Sequence, residues 1–338
     1  MLPKMPENPL NFSRVGVASA EVIPKFVVRP QGGSSTFLRI GSCVALLFFS
    51  VGATLFTEMS KSSDGTYPYN SFMIPCTVEA VKLFVSTGLL LSSKLRGDIV
   101  VVSLTPSKFA SYILPALCYF VSNNCMFYII RELGPTTFQI TNNLKVLATG
   151  VLMRIFLGRR MTWLRWKALM LLVLGSVVTQ IQPGDSDNAE SSKLGYILAL
   201  VNSFAAGAGG VISEKLLKGT DSAVVDSIHW QNMQLYFFGL AFGLGSSISK
   251  MYASDGNGLF QGFNMCASAT VASLAMAGLL VSFVLKYLDN FAKCFVNALS
   301  IIFVALVYAA MQHEGLQLKL IVGIVLTCMA LEQYNLPQ

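Results

Sequence analysis

Residues 265–311 read MCASATVASLAMAGLLVSFVLKYLDNFAKCFVNALSIIFVALVYAAM. Two apolar runs, 265–287 and 289–311, meet at the polar link Lys286-Tyr287-Leu288-Asp289-Asn290, which is too short for anything but a reversal of direction. A helix needs about 20 apolar residues to cross the hydrocarbon of a bilayer, and both runs reach that length. The same pattern continues outward at 37–58, 71–93, 108–130, 135–157, 162–182, 193–217, 223–249 and 316–335, which makes ten spans. Links such as Arg131-Glu132-Leu133-Gly134-Pro135 are equally short, so neighbouring spans run antiparallel. The 338-residue chain is 54% hydrophobic and 12% charged, about half the charge of a water-soluble domain. An all-α membrane protein of ten transmembrane helices follows.

The flanks and charges orient it. Residues 1–36 are polar and spotted with Pro and Gly, with no short apolar run, and read as a disordered tail rather than a signal peptide. With that tail in the cytosol, seventeen of the 24 Lys and Arg residues fall on the cytosolic side. Lys61, Arg131, Lys193, Lys250 and Lys319 fall on the other, and Lys82 and Lys145 lie inside helices. This bias predicts both termini in the cytosol. The longest link after the tail, 183–192, divides five spans (37–182) from five (193–338) and lies on the lumenal side. An odd number per half inverts the second against the first, as in secondary transporters that bind cargo between their halves. The internal likeness, Leu133-Gly134…Asn142-Asn143-Leu144 over Leu288-Asp289…Asn297-Ala298-Leu299, is faint, so the topology carries this inference.

Other classes fall away. The net charge of +7 would point a soluble protein at nucleic acid; here it describes orientation, and no nucleic-acid partner is expected. Seven cysteines without CxxC spacing and two histidines make no metal centre. No phosphate-binding loop, dinucleotide fingerprint or kinase motif appears, no cofactor is expected, and no nucleophile–base arrangement supports an enzyme.

Polar residues inside the spans are costly and mark function. Lys82 has Glu79 three residues before it, on the same helix face, so an internal ion pair competes with ligand contact there. Lys145, in Asn142-Asn143-Leu144-Lys145, has no acidic neighbour at helical spacing, which favours a ligand. Lys293 opens the ninth span, where a snorkelling lysine is an equal alternative. Tyr119 shares a face with Asn123, next to Asn124, and Trp230, Gln231, Asn232, Gln234 and Tyr236 crowd one stretch; such amides also serve as interhelical glue. Cations, amides and aromatic faces together suit an anion bearing a flat ring.

Four motifs resemble one family. Gly134-Pro135-Thr136-Thr137-Phe138-Gln139-Ile140-Thr141-Asn142-Asn143-Leu144-Lys145, Gly210-Val211-Ile212-Ser213-Glu214-Lys215-Leu216-Leu217-Lys218, Gln231-Asn232-Met233-Gln234-Leu235-Tyr236 and Lys286-Tyr287-Leu288-Asp289-Asn290…Lys293 stand in the order found in nucleotide-sugar transporters, in the CMP-sialic acid and UDP-galactose branch. The resemblance implies the drug/metabolite-transporter fold and a Golgi membrane. It also implies exchange of a cytosolic nucleotide sugar for a lumenal nucleoside monophosphate, CMP or UMP, by alternating access. The terminal Tyr334-Asn335-Leu336-Pro337-Gln338 carries no KDEL-type or dilysine signal, which favours Golgi over endoplasmic reticulum.

By motif position, the family's ligand-contacting lysines fall on Lys82, Lys145 and Lys293, its Tyr and Asn on Tyr119 and Asn123, its Thr on Thr149, and its later Asn and Tyr on Asn232 and Tyr236. Lys145 and Lys293 would hold the phosphate, with Lys82 assisting and Glu79 tuning it. Tyr119, Asn123 and Asn232 would take base and ribose, and Tyr236 and Phe138 the sugar end, with Gln234 beside them. Phe138 stands where the CMP-sialic acid carriers have a tyrosine, Phe238 and Ala206 replace serines, Cys294 a glycine and Gln231 an arginine. The sugar is therefore open: a related CMP-sugar, or UDP-galactose or a UDP-N-acetylhexosamine exchanged for UMP. A nucleotide-binding receptor or scaffold without transport is the reading from another class. A homodimer is neither required nor excluded by the sequence.

Overall fold

The computed structural model describes residues 36–62, 67–70, 73–98, 100–159, 161–180, 192–219, 226–253, 260, 262–311 and 318–335. The tail expected at 1–36 and the linker expected at 183–192 lie outside these apart from Thr36 and Ser192. The described residues form eleven α-helices and no strand: α1 Thr36–Met59, α2 Met73–Leu95, α3 Pro106–Ser111, α4 Ile113–Asn142, α5 Leu144–Phe156, α6 Trp163–Gln180, α7 Lys193–Lys218, α8 Ile228–Ala253, α9 Met265–Tyr287, α10 Asn290–Met311 and α11 Leu318–Asn335. Six stretches are long and apolar enough to cross a membrane, namely Thr36–Met59, Met73–Leu95, Pro106–Leu133, Lys193–Lys218, Met265–Tyr287 and Asn290–Met311. Phe48 and Phe84 are 72% and 80% exposed. Large apolar side chains at that exposure need lipid rather than water around them. The protein is an all-α membrane protein.

Local chemistry sets the helix ends. Ser192 caps α7 by accepting from the Gly195 amide, and Asn264 caps α9 by accepting from the Ala267 amide at 2.7 Å. Gly219 stops α7 at φ 69°, a left-handed value that favours glycine.

The most extensive pairings are α4 with α7, α6 with α11, α1 with α9 and α2 with α8. Close crossings use missing side chains. A Cβ on Gly175 would stand 2.8 Å from the Thr327 hydroxyl, and one on Gly323 only 2.9 Å from the Gly175 carbonyl oxygen, which locks α6 to α11. The largest apolar cluster joins Met153 of α5, Leu169 and Leu172 of α6, Val211 of α7, Phe291 and Phe295 of α10 and Ala330 of α11, all essentially buried.

One expected boundary moves. A loop was expected at Arg131–Pro135, but α4 continues through these residues from Ile113 to Asn142, without the ladder bond that Pro135 cannot donate. The interruption comes at Asn143, which keeps helical angles (φ −69°, ψ −19°) and bonds back to Ile140 and Thr141. Lys145 therefore lies in the first turn of α5, not mid-helix. The chain reverses nonetheless. Tyr119 lies against Gly209, Leu133 against Gly195, and Thr149 back against Gly207. Thirty residues of straight helix would put Tyr119 and Thr149 about 45 Å apart, whereas Gly207 and Gly209 are one half-turn apart. The backbone folds back between Leu133 and Phe138, and Pro135, with no N–H to donate, falls inside the bend. Both arms pack on α7, the first antiparallel to it and the second parallel.

Candidate functional site

A cavity of about 590 Å³ opens between α2, α4, α8 and α9, bounded by the last turns of α1 and the start of α10. Its mouth is marked by Tyr67 and Met126, 40% and 37% exposed; its floor is formed by Ser213, Ser282 and Leu285, all at 3% or less. At the mouth, outside the helices, the Glu58 carboxylate bonded to Lys61 holds that ammonium above its ordinary range, and burial pushes the Tyr67 phenol up. Beyond the floor the chain is tied shut. The Asp226 carboxylate accepts from the Ser103 amide at 2.9 Å and from its hydroxyl at 2.5 Å, and Trp230 donates to the Ser103 carbonyl at 3.0 Å.

Lys82 reaches the cavity wall from α2 already paired. Its ammonium lies 2.5 Å from the Glu79 carboxylate and 4.3 Å from the centre of the Tyr236 ring. The ion pair weighed for Lys82 is thus formed, and a cation–π contact adds to it. Two glycines make room. A Cβ on Gly278 would stand 2.7 Å from Lys82 Cδ, and one on Gly239 2.9 Å from the Glu79 carboxylate. The Tyr236 hydroxyl, 3.2 Å from the Ser282 hydroxyl, fixes the ring under the ammonium.

Lys293 lines the same cavity from the first turn of α10. Lys145, from the first turn of α5, is its electrostatic neighbour. Among the described residues neither lysine makes an ion pair. Cys294 is buried, with Thr149 and both lysines as its polar neighbours. Two ammonium groups without an ion pair make this corner a place for an anion. Tyr119 and Asn123, on one face of α4 as the spacing predicts, line the cavity, and so does Asn124.

Five of the named residues do not line the cavity: Lys145 and Thr149, which stand near Cys294, and Phe138, Asn232 and Gln234. Phe138 packs into the apolar cluster of Ile129, Leu133 and Ala199 where α4 meets α7. Asn232 is 1% exposed with neither side-chain amide atom bonded, and Gln234 donates to the Trp230 carbonyl at 3.3 Å. Sequence reasoning did not single out Thr57, Tyr67, Tyr69, Ser213, Gly239, Gly278 or Ser282 for the wall. The two tyrosines lie in a link, and the others are ordinary helix residues whose only signal is their neighbour across the cavity.

The comparisons with known proteins agree with this chemistry. The family described as nucleotide-sugar transporter matches residues 34–335. A CMP-sialic acid transporter of Arabidopsis thaliana is 30% identical over 313 residues, covering 87% of this chain and 88% of that one. A UDP-N-acetylglucosamine transporter of Rattus norvegicus is 34% identical over 210 residues, covering 58% and 61%. A protein of known crystal structure, 14% identical, superposes with a TM-score of 0.68 over 89% of this chain and 97% of that chain, a likeness of fold. A match over nearly the whole described helical part, with 30% identity at that coverage, decides the matter: the chain belongs to the nucleotide-sugar transporter family.

Proposed function

We propose that this protein is a Golgi antiporter that exchanges a cytosolic nucleotide sugar for a lumenal nucleoside monophosphate by alternating access. The observation that carries it is the unpaired Lys293, backed by Lys145, in a cavity whose other wall is Tyr119 and Asn123. The phosphate goes to the two lysines, base and ribose to Tyr119 and Asn123 with Asn232 behind them. The sugar end lies toward Tyr236, with Phe138, Thr149, Gln234 and the Glu79–Lys82 pair supporting the walls. Exchange follows because two unpaired lysines in an empty cavity disfavour reorientation, which a bound anion relieves.

Ten spans in two inverted halves, 37–182 and 193–338, accommodate the helices if α3 with the first arm of α4, and the second arm with α5, each count as one. The packing supports this. Advancing every span by five turns the α1–α9 pair into α7 with the first arm of α4, and returns α2–α8 and α6–α11 to themselves. That closure is what a pseudo-two-fold axis in the membrane plane requires. Both termini are then cytosolic, and the mouth at Tyr67 and Met126 faces the lumen.

A CMP-sugar is the first reading, from the plant relatives named for CMP-sialic acid. A UDP-sugar exchanged for UMP is the second, favoured by the rat relative and by Phe138, Ala206 and Cys294 at motif positions. A thermal-shift panel of CMP, UMP, GMP and AMP separates the bases. Proteoliposomes loaded with the stabilising nucleotide take up labelled nucleotide sugar faster than empty ones. Binding with no trans-stimulation for any nucleotide would leave a receptor and sink the exchange.

A further inference from the structure

Ser213 lies in the cavity floor, and the next residue, Glu214, has no exposed surface. A carboxylate that deep persists only if it is fully paired. Its partners come from three places in the chain: Arg159 of the α5–α6 link at 3.0 Å, Lys218 one turn on at 2.7 Å, and the Asn290 amide of α10 at 2.9 Å. Arg159 reaches on to Asp289 at 3.7 Å, and Lys218 donates to the Leu288 carbonyl. Gly210, one turn before Glu214, leaves the space that the buried Asn290 side chain fills, since a Cβ there would stand 2.6 Å from its amide nitrogen. The start of α10 is thus held to α7 and the α5–α6 link beyond the sealed end of the cavity.

That same helical turn carries the cavity's cation. Asp289 accepts from the Ala292 amide at 2.8 Å, its carbonyl accepts from the Lys293 amide, and Lys293 lines the cavity. A helical turn moves as a unit, so a pull on Lys293 is felt at Asp289 and Asn290. Resting on the transport reading above, we propose that the first turn of α10 couples cargo to the gate. The Glu214–Arg159–Asp289 lock holds the floor shut while the cavity is empty, and an anion drawn onto Lys293 loosens it. Lys293 then has two tasks, holding the phosphate and releasing the lock. Arg159 is a positioning residue that touches no cargo and sets how tightly loading and reorientation are coupled.

Arg159→Ala tests this: that side chain is 40% exposed on a link, and Lys218 and the Asn290 amide stay on Glu214 when it is removed. Uptake of labelled CMP, and in parallel UMP, is measured into proteoliposomes that are empty or loaded with the same nucleotide. Losing the lock raises the empty-to-loaded uptake ratio about fivefold to tenfold, as unloaded carrier begins to reorient, while Arg159→Lys stays near wild type. A lock that is only structural would lower both rates together and leave the ratio alone, which overturns the proposal. Hydrogen–deuterium exchange on the purified protein reads the lock without transport. Ligand-free Arg159→Ala should exchange faster than wild type over 210–218 and 286–293, with 163–180 unchanged as the control for folding. Wild type with CMP or UMP should move the same way. No change in those segments from variant or nucleotide overturns the lock. Faster exchange in Arg159→Ala, in a wild type without trans-stimulation, sinks the transport reading and the coupling it carries but leaves the lock standing.

Discussion

Lys82 on α2 and Lys293 on α10 line one cavity, yet only the first brings its own counter-ion. Lys82 comes to rest between Glu79 and the Tyr236 ring, three side chains of two helices satisfying one another. Lys293 has Lys145 as its electrostatic neighbour and, among the described residues, no carboxylate within ion-pair distance, so two like charges are kept near each other in a region that disfavours even one. Such an arrangement weakens the folded protein and suits the anion site proposed above. On the proposed function the difference separates a wall from a binding group, although both are helix lysines facing one cavity.

Removing the unpaired pair gives the largest effect. Lys293→Ala or Lys145→Ala should lower uptake of labelled nucleotide into loaded proteoliposomes about a hundredfold or more, the scale of losing a buried charge partner. Neither should lower the ligand-free melting temperature, and Lys145→Met should raise it, because an uncompensated cation disappears. A variant that melts well below wild type would mean that these lysines hold the helices together, and the contrast with Lys82 would collapse.

Lys82→Ala comes next and behaves oppositely in the stability readout. It strands the Glu79 carboxylate in the cavity, where the lone charge costs about 3–5 kcal/mol if fully buried and less at its observed partial exposure. The stranded charge also repels the cargo. Transport should fall about thirtyfold and the melting temperature should drop. Restoring neutrality with Glu79→Gln on top of Lys82→Ala should recover much of both losses, and this non-additivity is the signature of a self-contained pair. Simple addition of the two single effects would show that Lys82 holds cargo as directly as Lys293 does.

Gly278→Ala perturbs the pair without touching its charges. The new methyl group must displace Lys82 Cδ by several tenths of an ångström, and the ammonium is anchored at its far end by Glu79 and Tyr236. The expected outcome is a threefold to tenfold rise in apparent KM with little change in maximal rate, on the order of 1 kcal/mol of misplacement. Exchange rates against nucleotide concentration check it.

How much of this was legible in the amino-acid order follows the range of each interaction. The Glu79–Lys82 pair and the shared face of Tyr119 and Asn123 rest on local helical spacing, and both are as the spacing predicts. The fold-back after Leu133 was legible as a short polar link, but not that α4 would continue through it to Asn142, because helical geometry around a bend depends on a few degrees of backbone angle. The closeness of Lys145 and Lys293 rested on family resemblance alone, since they lie on different helices. The lock at Glu214 was invisible. Arg159 and Asp289 lie far off in sequence and look like ordinary charges near helix ends until the fold puts Arg159 between Asp289 and the buried Glu214 carboxylate.

Phe138 offers the smallest effect and the finest cut between what resemblance implies and what packing allows. Its motif position carries a tyrosine in the CMP-sialic acid carriers, which would assign it to the sugar end and make Phe138→Tyr a selectivity switch. Here the ring packs against Ile129, Leu133 and Ala199, beside Cys125 and Leu198, and no residue of that cluster lines the cavity. A hydroxyl added there meets apolar neighbours, and burying one without a partner costs about 1–3 kcal/mol by protein measurements. Phe138→Tyr should therefore lower the melting temperature by a few degrees while changing the ratio of CMP to UMP transport by less than about twofold, too little for a gained or lost hydrogen bond to cargo. A large change in that ratio at unchanged stability would require the ring to leave its cluster for the cavity during the cycle. Position 138 would then belong with Lys293, among the groups kept ready for cargo, rather than with the walls.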